Sequence, residues 1–100
     1  MVRSVLVLRA LPGRRDEVAG LFERLGILRE AGALNGFLSG ELHLAADGSD
    51  ELIVTATWAG PASYEAWLAS PVRERMRPPL EALLAERPVP RVYELVEALP

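Results

Sequence analysis

The order in which strand-like segments and helical stretches alternate constrains the fold of this chain more than any other feature. The strand-like segments are short and rich in Val, Ile and Leu, and they cover residues 4–10, 36–45, 51–58 and 89–97. A turn sequence at residues 47–50 joins the middle two as a hairpin. With helical stretches in the other two gaps, the order predicts an α+β domain of the ferredoxin-like βαββαβ type, an antiparallel four-stranded sheet with helices on one face.

The first helical stretch is predicted from apolar residues that recur at helical spacing. Their separations of three, four, seven and ten positions place them on one stripe of a helix, and they are Val18, Leu21, Phe22, Leu25 and Leu28. Gly32 is predicted to end this helix.

The second helical stretch begins near Ala62, and Ser63 is its predicted N-terminal cap. It places Tyr64, Trp67 and Leu68 on one face. Interruptions are predicted at residues 70–71 and again at residues 78–79, because the residue before a proline avoids the α-helical region.

One face of the sheet lacks a predicted cover, because the helices can occupy only the other face. Yet the strands are apolar on both sides: Val5 and Val7 point opposite to Leu6 and Leu8. An exposed apolar face of several hundred Å² is unusual for a monomer. The pattern therefore predicts a homodimer in which two sheets meet face to face.

Composition excludes several classes of function. The chain has 100 residues, which suits a single domain over residues 1–100, and its net charge of −3 argues against a nucleic-acid partner. It has no cysteine, which excludes disulfides and thiolate chemistry and agrees with a cytoplasmic location. No apolar run is long enough to span a membrane. The N-terminal residues run directly into a strand pattern, so no signal peptide is expected.

The sequence around the third strand and the helix after it resembles the antibiotic biosynthesis monooxygenase (ABM) domain family, of the dimeric α+β barrel superfamily. The similarity rests on Thr57-Trp58, on residues 62–71, on the start of the second strand at residues 35–41, and on residues 91–95. It implies a dimer that oxidises a small aromatic molecule. In the cofactor-independent members, an electron-rich substrate reacts with oxygen directly once it is deprotonated.

Residues 67–70 are also similar to haem-degrading monooxygenases of the iron-surface-determinant type. Those enzymes carry a helix tryptophan, an iron-ligating histidine ten residues later, and an asparagine on the first strand. Trp67 matches the tryptophan, but Arg77 occupies the place of the histidine, and Leu6 or Leu8 that of the asparagine. Haem degradation is therefore not expected.

The candidate catalytic residues are Trp67 and His43, and the candidate substrate-binding residues are Tyr64, Trp58 and Arg77. The aromatic side chains would stack on the substrate, and Arg77 or His43 would hold its anion. The alternative for Trp67 is a core anchor, and for His43 a structural strand residue. His43 is the only imidazole and there is no cysteine, so no metal site and no bound cofactor are expected.

Arg73 and Arg77 lie one helical turn apart, a spacing that could clamp a carboxylate or a phosphate. The alternative is a solvated face on which Glu74 and Glu81 pair with these arginines. A second reading of the whole chain is a non-catalytic, dimeric ligand-binding or stress-associated domain. An enzyme needs a group poised to take or stabilise a proton, whereas a binding protein needs only shape.

Overall fold

The computed structural model describes every residue from Met1 to Pro100. The elements follow in the order β1 (Val2–Arg9), α1 (Arg15–Leu25), α2 (Ile27–Gly32), β2 (Phe37–Leu44), β3 (Glu51–Trp58), α3 (Pro61–Leu68), α4 (Pro71–Glu81) and β4 (Arg91–Glu94). The sheet has the order β2-β3-β1-β4, and all neighbouring strands are antiparallel. The predicted α+β ferredoxin-like fold is confirmed.

The first helical stretch is two helices rather than one. Gly26 has a φ of 64°, a left-handed conformation that suits glycine, and its N–H caps the carbonyls of Phe22 and Glu23. The chain turns there and begins α2. Gly32 is the last residue of α2, as the sequence predicts.

The second helical stretch differs from its prediction at two points. Gly60 rather than Ser63 precedes the first turn of α3, which Pro61 begins. Helix α4 runs through Pro78 and Pro79 to Glu81, so the predicted break there is wrong. The prolines lie close to the helix end, where the N–H of Ala82 still closes a turn on the carbonyl of Pro78 at 3.1 Å.

The interruption between the two helices is confirmed, and a side chain explains it. The hydroxyl of Ser70 accepts a hydrogen bond from the N–H of Val72 at 3.2 Å, and Pro71 opens α4. Ser70 is thus the capping residue of this region. The predicted cap, Ser63, accepts no such bond.

The core lies between one sheet face and the helices. A bulge in β2 between Phe37 and Ser39 brings Phe37 onto this face, where it packs against the core beside Gly40. The alternation in the sequence of this segment, with Leu38, Leu42 and Leu44 on one side, predicts Phe37 on the side opposite to Leu42, and the bulge makes that prediction wrong. A Cβ at Gly40 would lie 2.9 Å from the Phe37 ring, so any larger residue here would have to displace that ring.

The other face of the sheet has no helix over it. Apolar residues lie on this face too, as the sequence predicts; they are Val5, Val7, Ile53 and Tyr93. Charged residues lie among them, namely Arg3, Arg9, Glu41, Glu51 and Arg91. We call this surface the open face; it is more polar than the sequence pattern suggested.

Strand β4 is shorter than the predicted segment of residues 89–97 and covers only Arg91–Glu94. Its partner is the first half of β1, in which Val2 faces Glu94 and Val5 faces Arg91. Beyond Glu94, the N–H of Leu95 donates to the carbonyl of Met1 at 3.3 Å. None of the helices is long and apolar enough to cross a membrane.

Candidate functional site

A cavity of about 190 Å³ lies between the helices and the core face of the sheet. We call it the interlayer cavity. Its walls come from every layer of the fold and include Leu6, Phe22, Trp58, Tyr64, Trp67 and Met76. An engineered apolar cavity of about 150 Å³ is large enough to bind benzene in another protein. The interlayer cavity is therefore large enough to hold a small ring system.

Three aromatic side chains form one wall of the cavity. Trp58 ends β3 and is 1% exposed, and the centroids of the Trp58 and Tyr64 rings lie 5.5 Å apart. Tyr64 and Trp67 are three residues apart on α3, so they share a face of that helix. Trp67 is buried in the core and also lines the cavity, so packing and pocket roles coincide in one side chain.

Ser4 places a hydroxyl in this otherwise apolar wall, and sequence reasoning missed it. The Trp58 Nε1–H donates to Ser4 Oγ at 3.0 Å, and the hydroxyl in turn lies 3.5 Å from the carbonyl of Ala56. Ser4 is the only polar residue in the buried set. The available signal was its position, two residues before Leu6 and four before Leu8, on the same side of β1.

Tyr64 is a hydrogen-bond donor at neutral pH. Burial raises the pKa of its phenol above the usual value of 10.0, while the positive charge of Arg73 and a hydrogen bond with Ser4 lower it by smaller amounts. The phenol therefore stays protonated, which prevents Tyr64 from acting as a base at neutral pH.

Arg77 lies at one side of the interlayer cavity with part of its hydrogen-bonding capacity unused. One terminal nitrogen lies 2.9 Å from Glu74 and the other 3.4 Å from Glu81. Its Nε is buried and has no partner. Buried donors are nearly always hydrogen-bonded in proteins, so the unpaired Nε–H is an exception among the residues that line this cavity.

The structure brings together four of the five predicted site residues and separates the fifth. Trp58, Tyr64, Trp67 and Arg77 all line the interlayer cavity. His43 lies on the open face, on the other side of the sheet, where its Nε2 is 3.3 Å from Glu41. His43 therefore cannot share a substrate with Trp67 inside one protomer. No cluster of His, Cys, Asp and Glu is suited to bind a metal ion.

The sequence profile of the family described as antibiotic biosynthesis monooxygenase matches residues 1–78 of the chain. A mutant of SnoaB, a cofactor-independent oxygenase from Streptomyces nogalater, has a similar structure: the TM-score is 0.84 and the sequence identity 20%, over 99% of this chain and 96% of that one. No curated protein matches the sequence.

Two further solved structures are similar in fold. Rv0793 from Mycobacterium tuberculosis gives a TM-score of 0.82 at 19% identity, over 99% of this chain and 98% of that one. A conserved protein from Methanosarcina mazei gives 0.79 at 17% identity, over 92% and 89% of the two chains. At such identities the likeness establishes the fold, and the activity has to be argued from the site.

Proposed function

The chain belongs to the antibiotic biosynthesis monooxygenase family, and we propose that it oxidises a small electron-rich aromatic molecule with O₂, without a cofactor, in the interlayer cavity. The observation that carries this proposal is the unpartnered Nε of Arg77 beside an aromatic wall. An apolar cavity with one unused donor fits a planar apolar molecule that carries one acceptor oxygen.

The proposed reaction needs only the substrate and oxygen, as 1-naphthol illustrates. The naphtholate gives one electron to O₂, and the two radicals combine at the ring carbon opposite the oxygen to form a C–O bond. The resulting peroxide anion takes a proton from solvent and becomes a hydroperoxide. The hydroperoxide then loses a proton from that carbon and hydroxide from its O–O bond, which leaves 1,4-naphthoquinone and water. One oxygen atom of O₂ enters the product, and the other leaves as water.

Each group of the cavity has a part in this proposal. After a shift of its side chain that opens the buried Nε to the cavity, Arg77 would donate its Nε–H to the naphtholate oxygen. This hydrogen bond would lower the pKa of the bound naphthol, whose proton leaves to solvent. Trp67 and Tyr64 would stack on the ring. The apolar lining would exclude water from the radical pair.

A second candidate function is ligand binding without chemistry, and one observation favours it. The cavity holds no free base: Glu74 and Glu81 both contact Arg77, and burial keeps Tyr64 protonated. His43 is on the other side of the sheet. A site of this kind binds an aromatic anion without an evident proton acceptor, so oxygen uptake has to be measured.

The test is oxygen uptake and naphthoquinone formation with 1-naphthol. We expect turnover by the parent and about a 100-fold lower kcat/KM in Arg77→Lys, which keeps a positive charge near Glu74 and Glu81 but loses the Nε–H. Arg75→Gln is the matched control, since Arg75 lies exposed on the same helix and does not line the cavity. Uptake no faster than that of buffer would overturn the oxygenase proposal and favour the binding protein.

We also propose that two protomers associate through the open face. The apolar residues of that face support it, because Val7 is 40% exposed and Tyr93 is 52% exposed in a single chain. Because His43 lies on the open face, it would lie at the interface of such a dimer. Light scattering at micromolar concentration is expected to give twice the chain mass, and a stable monomer would contradict the dimer.

A further inference from the structure

Arg73 differs from the other charged residues around the interlayer cavity because its charge has no partner. It is partly buried and lines the cavity, yet it makes no ion pair and no side-chain hydrogen bond. Its neighbour Arg77 is held by Glu74 and Glu81. The guanidinium of Arg73 keeps access to solvent, since Arg77 Nε is the only buried side-chain polar atom without a partner, so a ligand that carries a counter-charge can reach it.

The charges that line the cavity do not balance. Three of them are positive and two are negative, which leaves an excess of one positive charge: Arg73, Arg77, Arg87, Glu74 and Glu81. Both carboxylates are engaged, since each contacts Arg77, and Glu81 also lies 3.7 Å from Arg87. The excess therefore resides on Arg73.

We propose that Arg73 binds a carboxylate group of the ligand whose aromatic ring occupies the interlayer cavity. The planar guanidinium matches the two oxygens of a carboxylate in a bidentate pair. One carboxylate on a ligand whose hydroxyl is still protonated cancels the single excess charge, whereas a phosphate dianion would overshoot it. The ligand is thus an aromatic acid, and this inference rests on the proposed function because the same cavity holds the ring.

The position of Arg73 agrees with such a ligand. The positive charge of Arg73 lowers the pKa of the Tyr64 hydroxyl, so the guanidinium lies near the aromatic wall. Arg73 and Arg77 are one turn apart on α4 and both line the cavity. An aromatic hydroxy acid would reach Arg73 with its carboxylate and the Nε of Arg77 with its hydroxyl oxygen.

The test compares two probes of nearly the same shape, the anion 1-hydroxy-2-naphthoate and the neutral 1-hydroxy-2-naphthamide. Binding is measured by calorimetry with the parent, Arg73→Gln and Arg75→Gln. We expect the parent to bind the acid at least about 10-fold more tightly than the amide, a difference of about 1.4 kcal/mol. Arg73→Gln should lose this preference yet bind the amide within about 2-fold of the parent. Arg75→Gln should keep it.

The outcomes separate this inference from the proposed function. Equal affinity of the parent for acid and amide, no binding of either probe, or an undiminished preference in Arg73→Gln would overturn the carboxylate subsite. A preserved preference without oxygen uptake from either 1-naphthol or 1-hydroxy-2-naphthoate would overturn the oxygenase and leave the subsite standing. If Arg73→Gln does not fold, the salt dependence of binding to the parent replaces it. The affinity for the acid must then fall several-fold between about 0.05 and 0.5 M NaCl, while the affinity for the amide does not change.

Discussion

Replacing Trp58 with alanine is expected to lower the free energy of unfolding by about 3–5 kcal/mol. Trp58 is 1% exposed, and its ring packs against Phe37 with centroids 5.2 Å apart and against Tyr64 at 5.5 Å. The truncation leaves a large void between the sheet and the helices, and the end of β3 can collapse only in part. Denaturant unfolding followed by circular dichroism measures the loss.

Two milder variants separate ring volume from hydrogen bonding at this position. Trp58→Phe keeps most of the apolar contact but removes the donor to Ser4, and Ser4→Ala leaves the Trp58 N–H buried without its acceptor. Each is expected to cost about 1–3 kcal/mol, less than the alanine truncation. A loss below about 1 kcal/mol for Trp58→Ala would contradict the packing described for this strand end.

Trp67 is expected to respond differently, because it is both core and cavity wall. Trp67→Ala should cost about 3–5 kcal/mol through lost burial. Trp67→Phe should cost about 1 kcal/mol or less, because a ring next to an existing cavity is not tightly packed on every side. The same phenylalanine variant should bind 1-naphthol more weakly, since the stacking surface is smaller.

The measurement for Trp67 is thermal unfolding of both variants with and without 1-naphthol, which raises the melting temperature of the parent if it binds. A smaller ligand-induced shift in Trp67→Phe supports the pocket role. An equal shift in the parent and in Trp67→Phe, together with a large intrinsic loss of stability, would assign Trp67 to the core alone.

The element order could be predicted from the sequence because each signal was local. Periodicity, turn residues and prolines fixed the strands and helices near their observed places. Some errors were local, namely the Ser63 cap, the helix break at Pro78 and Pro79, and the turn missed at Gly26. Two others arose where a neighbouring strand decides the outcome. The bulge that turns Phe37 inward depends on how β2 pairs with β3, and β4 ends where β1 offers no further partner. Neither event leaves a trace in the periodicity of one segment.

The site was predictable in its aromatic residues and in Arg77, which also lines the cavity. Trp58, Tyr64 and Trp67 lie together because helical spacing and the strand end bring them to one side of the sheet. Ser4 lies within an apolar strand, so nothing in the strand pattern marked it as part of the site. Arg73 lacks an ion-pair partner because Glu74 and Glu81 both pair with Arg77, which the sequence alone does not decide. His43 was proposed as a site residue because it is a histidine. The alternation along β2 already placed its side chain on the face opposite to Leu42 and Leu44.

Oxygen isotope labelling tests the central claim most directly. The parent protein is incubated with 1-naphthol under ¹⁸O₂, and the naphthoquinone is analysed by mass spectrometry. The proposed reaction predicts one heavy oxygen atom in each quinone formed above the buffer control, with the second recovered in water. No quinone above that control, or quinone whose new oxygen comes from water, would contradict the assignment of the interlayer cavity as an oxygenase site.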